Sequence, residues 1–354
     1  MTKTPSPVSP ASGTEERITV SDLVSRLTSA LATDRNDTRI ARSLAAIRLQ
    51  ERLTDPTIDA LAKMATGPAT LDALHTLARD SAALPAPSED PISRASAPSA
   101  SEETALAAAA RRWSADYLAS LPDFTCTRSV RRFRNYKPPV GGRARHRASP
   151  PEDVWYPAGS DSGDASYVAG RDSYRVTEVD GKPFQGSLDQ LGRDYSWGEF
   201  GGFVQETMDP SRQATLAWDR WEIVRGRRLA VFRYAVDIPH SHYRVVIPLT
   251  TKPGAPPQVA TITLAHHGFV YVEPQTGAVL RLVLFAAGQS YDFSLFEAAN
   301  VLDCVEIHLS GSAVVLPLSA ASWQRTRGWE TREEIEYRDY RKFQSDSTVK
   351  FDER

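Results

Sequence analysis

The chain has 354 residues, 41% of them apolar and 24% charged, with a net charge of −2 and an isoelectric point near 6.4. That length makes room for about two domains, and the near-neutral balance excludes a chain-wide attraction to nucleic acid or to an anionic membrane. Two cysteines, Cys126 and Cys304, exclude a disulfide-rich scaffold and a cysteine zinc cluster.

No run approaches the roughly 20 apolar residues of a membrane span. Residues 1–17, rich in Pro, Ser and Thr and lacking the apolar core of a signal peptide, read as a disordered tail. Residues 18–83 read as a small helical module. Leu23, Val24, Leu27, Ala30 and Leu31 line one stripe behind Ser21 as cap, and Ile40, Leu44, Ile47 and Leu53 line the next. Asp55-Pro56 opens a third helix that stops at Gly67, and Leu71, Leu74 and Leu77 mark a fourth. Residues 84–102, a Pro/Ser/Ala stretch, form a linker to a second domain over 103–354. That domain starts with a helix over 103–121, capped at Ser101, whose stripe is Leu106, Ala109, Ala110, Trp113, Tyr117 and Leu121 and which ends at Pro122.

From Asp123 onward the apolar period falls from that of a helix to two. Turn signals at Asp180-Gly181, Arg225-Gly226-Arg227, Pro274-Gln275-Thr276-Gly277 and Ser310-Gly311 separate the alternating runs, and "TREEIEYRDYRKFQSDSTVKFD" supplies two more strands. The prediction is an α+β protein. A small all-α module precedes a large curved antiparallel sheet, a half-barrel of roughly 9–11 strands covered by helices. One cover is the helical insertion at 198–208, with Phe200, Phe203, Val204 and Met208 on one face.

Chemical motifs are scarce. The chain lacks a nucleophile elbow, a zinc-protease helix, a phosphate loop and a dinucleotide fingerprint. His240 and His242 lie two apart. The run "AHHG" adds His266 and His267, and if 242–249 pairs with 258–265, with residue numbers summing to about 507, His267 comes opposite His240. Asp237 is the one carboxylate beside them, so the three read as surface histidines, and no metal or other cofactor is expected. Arg128, Arg131 and Arg132 open a basic run that reaches Arg147 and reads either as an anion site or as a solvated charge run. Glu333, Glu334 and Glu336, of which Glu334 and Glu336 face the same way, read as exposed strand charges. The two cysteines pair or stay as buried thiols.

The order of segments resembles a known family. "LPDFTCTRSVRRF" leads from a helix into a long meander, "GEFGGFV" precedes "ATLAWDRWE", and "FRYAV", "GFVYVEPQTGAVLRLVL" and "YRDYRKFQSDSTVKF" follow. This is similar to the half-barrel proteins related to the LolA outer-membrane lipoprotein carrier and the RseB-type sensors, above all to a group of exported acidobacterial proteins. The hairpin "YVEPQTGAVLR" resembles the "iDp-x-tG-x-plR" hairpin of that superfamily. The resemblance covers about residues 103–354 and does not extend to the helical module. It implies a periplasmic or otherwise extracytoplasmic location, no catalytic residue and an apolar groove for acyl chains. The groove residues would be Trp113, Phe200, Phe203, Val204, Phe232, Tyr234, Phe269 and Tyr271.

The expected function is thus non-enzymatic binding of a lipid, a lipoprotein acyl chain or another apolar ligand, as carrier or sensor in the cell envelope. The helical module would contact a protein partner, and no nucleic acid is expected. The alternatives are a structural or signalling envelope protein with a dry core in the same fold, and a metal-dependent enzyme using the histidines.

Overall fold

The structure, a computed structural model, describes residues 16–33, 36–65, 67–82, 84–87, 96–136, 155–191, 198–249, 258–287, 295–326 and 329–343. The tail before residue 16, the middle of the 84–102 linker, the basic run after residue 136 and the segment after residue 343 lie outside the described residues. Two units divide the chain, residues 1–94 and 95–354.

The first unit contains β1 (Glu16–Ile18), α1 (Val20–Thr33), α2 (Asp37–Ala45), β2 (Ile47–Leu49), α3 (Asp55–Ala62) and α4 (Pro68–Ser81). Leu23, Leu27, Ile40, Leu44, Leu61, Leu74 and Leu77 bury against one another, as the helical spacing requires. Ile47 departs from the helical reading. The chain leaves α2 at Ala45, and β2 pairs in parallel with β1, so Ile47 and Leu49 reach the same core from a strand. The cap of α1 also differs. Thr19 Oγ1 accepts from the Asp22 N–H at 3.1 Å, where Ser21 was expected. Asp37 links two helices, since its carboxylate accepts from the Ala69 and Thr70 N–H groups, both at 2.9 Å, at the start of α4.

The second unit starts with α5 (Ala100–Ser120). Its capping box is Ser99 with Glu102, two residues before the expected Ser101. Then follow β3 (Phe124–Tyr136), β4 (Trp155–Val168), β5 (Arg171–Val179), β6 (Lys182–Gly186), α6 (Gly202–Met208), β7 (Thr215–Val224), β8 (Arg227–Val236), β9 (Arg244–Leu249), β10 (Gln258–Thr263), β11 (His266–Val272), β12 (Val279–Ala287), β13 (Leu295–Leu309), β14 (Ser312–Thr326) and β15 (Trp329–Lys342). Eleven strands form one open antiparallel sheet in the order β6-β5-β4-β3-β15-β14-β13-β12-β11-β8-β7, and β9 and β10 form a separate ribbon. The fold class is the expected one. Over the described part of the terminal stretch there is one strand, β15, where two were expected.

Two-residue turns fix the hairpins. Asp180-Gly181, Arg225-Gly226 and Ser310-Gly311 all have positive φ at both positions, the twist that matches flanking strands. The Pro274–Gly277 turn has a second constraint. At Gly277 a Cβ would sit 2.6 Å from the Ala109 carbonyl oxygen, so glycine lets α5 seat against the β11–β12 hairpin. Register shifts in most of the pairings bend and coil the sheet.

One face of the sheet is covered by α5, α6 and the β9–β10 ribbon. Ala110, Tyr117, Phe203, Val204, Met208 and Val245 pack with Phe124, Val130, Phe232, Leu282, Leu302 and Ile335 in one core. A smaller cluster of Leu229, Val231, Phe269, Tyr271, Leu280 and Val283 occupies the opposite, outer face. Both cysteines are free thiols, Cys126 buried and Cys304 half-buried. Burial pushes the Cys126 thiol up to about 12. No helix among the described residues is long and apolar enough to cross a membrane.

Candidate functional site

Register defines the covered face residue by residue. Trp218, Phe232, Val270, Leu282, Leu302, Ala320, Ile335 and Val130 are successive cross-strand partners from β7 to β3. This apolar row crosses eight strands, about 33 Å at the usual strand spacing. The 198–208 segment covers part of this row, beside α5 and the β9–β10 ribbon. Gly198 and Gly201 have φ of 93° and 137°, which bend the chain into the seven-residue helix α6. Phe200, in the bend, is fully buried against Phe124 and Tyr337 in edge contacts, with ring centres 5.1 and 5.3 Å away, and it stacks on Tyr174.

Three polar groups interrupt this apolar face. The first centres on Glu206 of α6. Its carboxylate accepts from the His242 N–H at 2.6 Å and Arg212 Nε at 3.0 Å, and lies 3.2 Å from His266 Nε2. Burial alone would raise its pKa, but the bonds from His266 and His242 and the Arg212 charge outweigh that and hold it below the ordinary glutamate value. His266 has no exposed side-chain surface and lies 3.4 Å from the Tyr234 hydroxyl.

The second group lies under Phe200. The Tyr174 hydroxyl is 3.2 Å from Asp172 Oδ2 and 3.2 Å from Glu199 Oε2. The third lies between β3, β4 and β15. Arg132 donates to Glu333 at 2.8 Å and pairs with Asp161, and Arg128 lies 3.6 Å from Asp161. Beside it a cavity of about 280 Å³ is lined by Arg132, Arg134, Ser322, Gln324, Thr331 and Glu333, among others.

The structure distributes the expected groove residues over both faces. Phe200, Phe203, Val204, Phe232 and Tyr234 share the covered core. Phe269 and Tyr271 belong to the outer cluster, because the β8–β11 register sets Val270, not Phe269, beside Phe232. Trp113 is half-buried, stacks on Tyr117 at 4.8 Å and touches both clusters.

The expected anion-site arginines are also divided. Arg128 and Arg132 are buried and face carboxylates, whereas Arg131 is 66% exposed and pairs with Glu334 at 2.8 Å. The histidines lie apart in role. His240 bonds to Asp237, His242 lies 3.3 Å from Arg212, and His267 packs on Phe285. The β9–β10 register does sum to 507, as in Arg244 with Thr263, but His267 sits in β11 of the main sheet. No cluster of three or more His, Cys, Asp or Glu placed to share a metal ion occurs among the described residues.

Glu206, Asp172 and Glu199 are not singled out by the sequence as a site, and His266 is named there only with His267. One signal for Glu206 was legible. It follows Phe203 by three positions, which sets it on the apolar stripe of α6.

The second unit is thus an open antiparallel half-barrel with one helix-covered apolar face. No protein-family model matches the chain, and no curated protein matches it significantly. Among solved structures it is similar to a DUF1329 family protein from Desulfovibrio piger, at 10% identity over 70% of this chain and 95% of that one, TM-score 0.32. It is similar to an outer membrane lipoprotein-sorting protein domain from Vibrio parahaemolyticus, at 10% identity over 70% and 95%, TM-score 0.30. A LolA superfamily protein from Nitrosomonas europaea gives 10% identity over 69% and 94%, TM-score 0.27. At these identities and scores the likenesses carry no argument about function.

Proposed function

We propose that the second unit is a non-enzymatic binding module that takes an acyl chain or another apolar ligand on its covered face when the 198–208 segment lifts. The observation that carries this reading is the uninterrupted row from Trp218 to Val130, part of which is covered by a segment as short as 198–208. Displacing one bend and two helical turns would open apolar surface across several strands, and it leaves the sheet's hydrogen bonds intact. The cavity at the polar end of the same face gives room for a hydrated end of such a ligand. A carrier or sensor role in the cell envelope follows from the family resemblance of the sequence.

The second reading is a structural or signalling protein with a permanently dry core. It is favoured by the completeness of the packing, with Phe200 and Phe232 at 0% and 1% exposure.

Phe203→Ala separates the two. In a permanent core its loss should cost about 3–5 kcal/mol. At a lifting cover the stability loss should be smaller and the loss of ligand binding large. Chemical denaturation and titration with a fluorescent fatty acid, on wild type and variant together, measure both. A wild type that binds no acyl probe, with a variant that loses the full core-sized stability, rules out the binding reading.

A further inference from the structure

The cover carries a buried acid at its start. Glu199 is 1% exposed, and its Oε1 atom has no hydrogen-bond partner among the described residues. Its Oε2 atom lies 3.2 Å from the Tyr174 hydroxyl, which lies equally far from Asp172 Oδ2. A tyrosine hydroxyl has one proton to donate. It serves one of these two oxygens, and its contact with the other sets lone pair against lone pair unless a carboxyl group is protonated. The geometry therefore calls for one proton on the pair of acids.

One cation among the described residues faces the pair: Arg128 of β3 lies 5.2 Å from the Tyr174 ring centre and interacts with the Glu199 charge, but it also faces Glu333 and Asp161, so its charge is shared among several carboxylates. The other titratable groups facing the pair, among the described residues, are Asp123 and the tyrosines Tyr117, Tyr167 and Tyr337. None of these is a cation. Gly198, next to Glu199 on the cover, donates its N–H to Asp172.

We propose that Asp172 and Glu199 form a proton-operated latch on the cover of the apolar face. With a proton on the pair, Glu199 and Phe200 stay seated against β5. Without it, adjacent carboxylates repel and the cover lifts, which admits or releases the apolar ligand. The ligand part of this statement rests on the binding reading above. The titration range supports it, since burial and then the Glu199 charge push the Asp172 carboxyl up to about 6, against the bonds from Tyr174 and Gly198. The closed state holds the proton more tightly than an exposed aspartate would. Its advantage is present in acid and is lost as pH rises through about 6.

Amide hydrogen exchange over residues 202–208 tests the latch in the ligand-free full chain. After correction for intrinsic exchange, opening should be about tenfold greater at pH 7.5 than at pH 5. Asp172→Asn should stay closed at both pH values, because the neutral amide removes one of the two charges that repel, and Glu199→Gln should behave likewise. Equal opening of the wild type at both pH values, or an unchanged pH dependence in both variants, overturns the proposal. A second measurement follows the association rate of a non-ionisable probe, the methyl ester of a pyrene-labelled fatty acid. The rate should rise with the opening. If exchange switches with pH and the probe never binds, the latch stands and the ligand reading fails. A probe that binds at a pH-independent rate overturns the latch and leaves the ligand reading intact.

Discussion

β11 shows two ways of keeping apolar groups dry. Val270 and Val272 point to the covered face, where helices and aliphatic side chains enclose them. Phe269 and Tyr271 point to the outer face, where an arginine layer roofs them. The Arg220 guanidinium lies 4.7 Å from the Phe269 ring centre and 5.7 Å from that of Tyr271, and Arg281 lies 5.6 Å from Tyr271. Asp219, Glu222 and Asp303 hold those arginines in turn. One register row, Arg220, Val231, Tyr271, Arg281 and Asp303, carries this layer across five strands. A buried aromatic ring therefore does not by itself mark a groove. A short helix can leave its sheet as a unit, whereas a layer built from the strands' own side chains cannot.

Substitutions can break or sharpen this contrast. The largest effect should come from Phe232→Ala on the covered face, about 3–5 kcal/mol in chemical denaturation, because the cavity left behind cannot collapse onto a continuous sheet. Next is Arg220→Ala on the outer face, about 3 kcal/mol, since it strands Glu222, itself 3% exposed, without its cation. Adding Glu222→Gln should recover part of that loss, and no recovery would show that the arginine acts by packing alone.

Asp172→Asn should do the opposite and raise stability at pH 7 by about 1 kcal/mol, after allowance for its partial exposure. Its carboxyl titrates at about 6 in the folded protein against an ordinary 3.8. The contribution of this group to wild-type stability is greatest in acid and declines as pH rises from about 4 to about 6. The variant should lack that decline in a pH series of thermal melts. Arg131→Ala should matter least, within about 0.5 kcal/mol, because the pair it breaks is solvent-exposed.

Strand content, the two-residue turns and the β9–β10 register were legible because each rests on local pattern. The face assignment at β11 was not. "GFVYV" is apolar at both parities, so alternation could not tell which set faced the helices, and the register with Phe232 decided it. The fate of Arg128 and Arg132 was hidden for another reason. Their partners Asp161 and Glu333 lie 29 and 201 residues from Arg132, and a run of like charge shows none of its distant partners. Helix starts were misplaced by two residues at Ser99 and Thr19, since neighbouring serines and threonines compete for the same role.

The position of β15 affects how the chain comes to be folded. It joins four strands drawn from residues 124–186 to six drawn from 215–326, and it is the last of the eleven to be made. While a ribosome adds the intervening stretch, on the order of 10–40 s of synthesis, β3 presents a bare edge with its ladder of N–H and C=O groups unpaired. Such an edge invites wrong partners. Its arginines discourage this, since Arg128, Arg131, Arg132 and Arg134 would repel a second copy of the same nascent strand until the glutamates of β15 arrive.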